Sequence, residues 1–195
     1  MKLFAIGAFA LASLTASAAV AQSAGPANPG PVIPGVCVYF NQRAQAQSTV
    51  GQAVQARMMQ LSQEAEAELA PYGTSIQAEI TALQQAGASL SEAERNQRSQ
   101  ALQQRIQEAQ QLEQTREAEL RYTQAEQRRL MSVAIEPIMV ALYQERGCGL
   151  LLSRESVFIM NPAMDITDQV IQRLNTALPT LRFNRLPVPV QQPAQ

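Results

Sequence analysis

The chain has 195 residues and a formal net charge of −1. It holds no histidine and no tryptophan, and its one lysine is Lys2. Without His or further Lys, the commonest general bases, Schiff-base formers and metal ligands are missing, so no enzyme activity, metal centre or cofactor is expected. Fourteen arginines against 16 acids likewise disfavour a nucleic-acid partner.

Lys2 followed by the apolar, Ala/Ser-rich run Leu3 to Val20 and the Ala19-Val20-Ala21 site reads as a secretory signal peptide, residues 1–21, cleaved after Ala21. No later run approaches the roughly 18 apolar residues of a membrane span, so a soluble periplasmic protein without stable membrane insertion is expected. Cys37 and Cys148 are the two cysteines. In an oxidising compartment an even count favours a disulfide, and both lie at the starts of predicted strands; two buried thiols that never meet are the alternative. Their spacing is not that of a C-x-x-C redox motif.

Residues 22–35, with Pro26, Pro29, Pro31 and Pro34, form a flexible Pro/Gly-rich leader. Val36 to Phe40 is β-branched and aromatic and reads as a strand, with Asn41 a stop before the helical section. The stretch 47–131 is built almost entirely from Gln, Ala, Glu, Arg, Leu and Ser, the composition of long exposed helices.

The outgoing helix, from about Gln47 to Ala86, carries Val50, Val54, Met58, Leu61, Ala65, Leu69, Tyr72, Ile76, Ile80 and Leu83. Steps of 4, 4 and 3 repeat along that stripe, an 11-residue period of about 3.67 residues per turn, which gives a nearly straight or slightly right-handed pair of helices. Pro71 removes a helical hydrogen bond, and with Gly73 it marks a hinge with a kink near Ala70. Glu64, Glu66 and Glu68 cluster on this helix and read as a solvated face.

Gly87 can end the helix, and Ser91 followed by Glu94 is a capping box that starts the return helix. Leu102, Ile106, Ala109, Leu112 and Leu120 mark a thinner stripe there, and another bend is expected at Pro137. Glu94 with Arg98 and Glu117 with Arg121 are i, i+4 pairs. Arg95, Arg98 and Arg105 are the nearest thing to a basic patch by the tip. After Gly147, Leu150–Ser153 and Val157–Met160 read as a hairpin turning at Arg154-Glu155. Asp165 caps a last helix with the apolar face Ile166, Val170, Ile171, Leu174 and Leu178, ended by Pro179. The Pro/Gln-rich residues 181–195 are expected to be disordered.

The fold class is therefore α+β. A small β-sheet body (residues 36–46 and 132–180) carries a long antiparallel α-helical hairpin arm (residues 47–131). A body that small needs partner subunits for stability. In this order of elements, in the tip at Ala86 to Ser91, in LLLSRESVFIM and in the closing DITDQVIQRLN, the chain resembles the Skp/OmpH family of periplasmic chaperones from Val36 to about Leu178.

That resemblance implies a homotrimer whose strands assemble one β body and whose arms surround a cavity. Unfolded outer-membrane β-barrel proteins would be held there without ATP and kept from aggregating. The apolar stripe Val54, Met58, Leu61, Leu69, Ile76, Ile80, Leu83, Leu102 and Ile106 is then the candidate client contact, packing between the two hairpin helices being the simpler reading of the same residues. The family's best-known members have Lys/Arg-rich arms, which this chain lacks, so a lipopolysaccharide-binding site is not carried over. The alternative function is a structural coiled-coil scaffold of the envelope that binds one folded partner; the Ala/Gln-diluted stripe lacks the sustained seam such a scaffold needs.

Overall fold

The structure is a computed structural model and describes residues 30–189; the expected signal peptide, its cleavage site, most of the leader and residues 190–195 lie outside. The element order is β1 (Val36–Tyr39), α1 (Asn41–Gln47), α2 (Thr49–Ala86), α3 (Glu92–Glu145), β2 (Leu150–Ser153) and α4 (Thr167–Ala177).

β1 and β2 pair in parallel, with Val36 opposite Leu150 and Tyr39 opposite Ser153. The connection between them is the whole helical hairpin. On its other side β1 meets the chain before α4, where the Ile166 amide donates to the Val38 carbonyl at 3.0 Å. The expected hairpin of 150–153 with 157–160 does not form. A single 3-10 turn, Arg154–Ser156, follows β2, and Val157 to Met160 is irregular. Among the described residues Val157 to Met160 pair with no strand, and Phe158 is 94% exposed.

Cys37 and Cys148 are bonded, with Cα atoms 5.8 Å apart, and tie β1 to the segment leading into β2. Around them the core gathers Tyr39, Ala44, Val50, Val54, Met131, Ile135, Leu142, Ile166, Val170 and Leu174. The roots of both long helices, Val50 and Val54 on α2 and Met131 on α3, are therefore part of the core. Burial, with some help from the Glu155 charge, pushes the Tyr39 hydroxyl up to about 12, so it stays protonated and donates to Asn41 Oδ1 at 3.1 Å.

After β1 the helical section begins at Asn41 with α1, which breaks at Ser48 before α2 starts. Ser48 is buried and accepts from the Gly51 amide at 3.2 Å as the cap of α2. A Cβ on Gly51 would lie 1.6 Å from the Gln45 carbonyl oxygen, so only glycine lets α1 fold back this tightly. α2 then continues as helix through Pro71, and α3 through Pro137, so the expected bends are not breaks. At the tip Gly87 takes φ +47°, and the capping box of Ser91 and Glu94 has both of its bonds. Asp165 acts one residue further out than a standard cap, its carboxylate accepting from the Thr167 amide at 2.8 Å.

Residues 181–189, expected to be disordered, run extended along the arm root. Leu181 and Phe183 pack against the core. Composition suggested disorder, but specific partners on α2 and α3 hold this segment.

Candidate functional site

α2 and α3 pair along their lengths into an arm of about 57 Å, taking 1.5 Å per residue for the 38 residues of α2. From Leu69 to Tyr122 no described side chain is fully buried. The arm beyond its root has no core of its own, only a seam. Of the nine stripe residues, Val54 and Leu61 are buried, Leu61 at 2% exposure. Met58, Leu69, Ile76, Ile80 and Leu83 on α2, with Leu102 and Ile106 on α3, are half-buried. The stripe is thus the packing seam of the hairpin, and its flanks are what other molecules can reach.

Exposed apolar residues lie elsewhere, among them Met59, Leu130, Val133 and Val140 on the lower helices, and Leu150, Phe158 and Ile159 in the body. The sequence reading did not give these as an exposed surface. Leu130, Val133, Pro137 and Val140 recur at steps of 3, 4 and 3, so a second stripe on α3 was there to be counted. On the opposite face of α3, an open groove of about 920 Å³ lies between α1, α2 and α3. Met58, Met59, Met131 and Val54 line it among Gln45, Gln55 and Gln124. Flexible thioethers set among amides can adapt to varied apolar surfaces.

The arginines near the tip do not form a free basic patch. Arg95 donates to the Gly87 carbonyl at 3.1 Å, and Arg98 lies 3.7 Å from Glu79. Arg105 donates to Ser75 Oγ at 3.2 Å and sits 4.7 Å from the Tyr72 ring centroid. Each braces one helix of the hairpin against the other or against the tip, Arg105 beside Pro71 and Gly73. Glu64 bonds Arg57 and Glu68 bonds both Arg116 and Arg185, while Glu66 stays exposed, so the three acids share no site. Bonds from Arg185 first, then Arg116, hold the Glu68 carboxyl below the ordinary glutamate range.

Among the described residues no group of three or more His, Cys, Asp or Glu is placed to hold a metal, and no helix is long and apolar enough to cross a membrane. Nothing among curated proteins matches the chain. A solved structure of a candidate OmpH-like outer membrane chaperone from Caulobacter crescentus CB15 is similar to it at 34% identity and a TM-score of 0.75, over 84% of this chain and 96% of that one. The family model of outer membrane protein (OmpH-like) matches residues 35–174. With most of its length matched, from the turn before β1 to the middle of α4, the chain belongs to the OmpH-like family.

Proposed function

We propose that this protein is an ATP-independent periplasmic holdase chaperone. It binds unfolded outer-membrane β-barrel proteins in a cavity between helical arms and prevents their aggregation. The observation that carries this reading is the arm itself: a hairpin with no buried side chain from Leu69 to Tyr122 among the described residues, projecting from a small disulfide-tied body. Such an arm contributes little to its own fold, which fits a role in touching something else. The OmpH-like outer membrane chaperone among its structural relatives supports the same role, and the signal-peptide pattern read in residues 1–21 supports the compartment.

Assembly as a homotrimer accounts for the body's exposed apolar residues. Among the described residues β2 has β1 on one side only, and Leu150 at its start and Phe158 and Ile159 after it are exposed. Two strands with such an edge do not make a stable sheet alone, and pairing with other copies closes it. Clients then meet Met59, the methionine groove and the flanks of the seam, through many weak apolar contacts that suit unfolded barrels of differing sequence.

Sedimentation of the oxidised protein, alone and with a urea-unfolded barrel after dilution, tests both parts. A trimer that carries one unfolded barrel and leaves the folded barrel unbound is expected. A well-folded monomer at micromolar concentration contradicts the assembly, and saturable binding of one folded partner supports the scaffold instead.

A further inference from the structure

The segment after α4 bonds both long helices. Arg57 on α2 donates from Nε to the Phe183 carbonyl at 3.3 Å and from Nη2 to Asn184 Oδ1 at 3.2 Å. Arg185 then reaches Glu68 on α2 at 2.7 Å and Glu119 on α3 at 2.9 Å. The Leu186 amide donates to Thr123 Oγ1 at 2.8 Å, and that threonine is fully buried. Arg116 adds bonds to the same two glutamates, 2.6 Å to Glu68 and 3.0 Å to Glu119, so two arginines and two glutamates alternate across the seam. The Arg185, Glu119 and Arg116 side chains are all less than a quarter exposed, which limits solvent screening on the Glu119 side, while Glu68 at 37% stays more open to solvent.

Above this level the cross-hairpin polar contacts are isolated: Arg105 with Ser75 and Tyr72, and Arg98 with Glu79. Pro71 stands three residues beyond Glu68, and its missing N–H leaves α2 one hydrogen bond short just where the cluster ends. The cross-links and the proline thus place the change of stiffness at one level.

We propose that Leu181–Pro189 is a strap that fixes the proximal half of the hairpin, so that arm motion begins only beyond Glu68 and Arg116. The strap lies past residue 174, where the family match ends. Resting on the holdase reading, it sets how much of each arm can swing to fit a client. The lower half stays a fixed wall of the cavity, and the upper half moves about Pro71 and Gly73.

Amide hydrogen exchange on the oxidised, client-free protein tests this, comparing the native chain with Arg185→Ala and with a chain stopped after Phe183. Both variants keep Leu181 and Phe183, which pack on the core, so the body should fold. Exchange in residues 57–68 and 116–123 should quicken about tenfold, as loss of charged cross-links lets that section open locally. Residues 36–39 and 150–153 should not change. Unchanged exchange at 57–68 and 116–123 overturns the strap, and so does general loosening that includes β1 and β2, which would make the tail a support of the body. No client enters the measurement, so its failure leaves the holdase reading untouched.

Discussion

Gly51 shows how much one missing side chain decides. The Gln45 carbonyl oxygen lies 1.6 Å from where a Cβ would stand, and backbone cannot rotate away as a side chain can. Gly51→Ala is expected to force α1 off the root of α2 and cost on the order of 2–4 kcal/mol, read as a fall in thermal midpoint. Gly73 is the contrast: a Cβ there would meet nothing within 4 Å, so Gly73→Ala should stabilise α2 by roughly 0.5–1 kcal/mol on helix propensity alone. The bridge between Cys37 and Cys148, 111 positions apart, closes a loop that holds the entire arm. Replacing both with serine should cost about 2–4 kcal/mol, since a long loop regains its freedom in the unfolded chain. A chemical-denaturation midpoint that does not move would contradict that. The need for glycine at position 51 could not be read from composition, because it depends on what packs beside the residue.

Among the elements, those specified by local chemistry were legible. Ser91 and Glu94 form their capping box from a four-residue pattern, and the seam of α2 follows from its 11-residue period. Elements specified by distant partners were not. Val157 to Met160 looked like the second strand of a hairpin because it is β-rich and adjacent, yet β2 pairs with residues 36–39. The tail's proline and glutamine suggested disorder, while Arg185 finds Glu68 and Glu119 only in the folded arm.

The strap also carries a pH dependence. Because the folded Glu68 carboxyl is held below the ordinary value of 4.5, its bonds contribute fully above that pH. They are lost as the pH falls through the lower folded value. Spin labels at Val188 and Gln124 should therefore keep one short distance at neutral pH and spread apart only below pH 4.5. Spreading that begins above pH 5 or so would assign the contact to some other group. At the hinge, Pro71→Ala restores a backbone donor and should narrow the distribution of tip distances while leaving the assembly intact. Unchanged distributions and unchanged client capacity would remove Pro71 from the mechanism.

For the whole molecule, the layout of a small body with one long arm could be read from the sequence, but how far each apolar side chain is covered could not. Seven of the nine stripe residues are half-buried in the seam and two are core. Serine at Met58, Ile76, Ile80 and Leu83 together should loosen the hairpin as well as weaken holding. Met59→Ser with Leu130→Ser should weaken holding modestly without loss of helicity, because each exposed apolar group contributes at most about 1.5–3 kcal/mol and few are fully covered at once. The tip arginines are already engaged within the hairpin, so electrostatic capture should be minor. Light scattering from a urea-unfolded outer-membrane barrel, diluted into the oxidised protein without ATP at low salt and at about 0.5 M salt, tests the central claim most directly. The account predicts that near-stoichiometric trimer suppresses aggregation equally in both; aggregation that proceeds as if the protein were absent would contradict it.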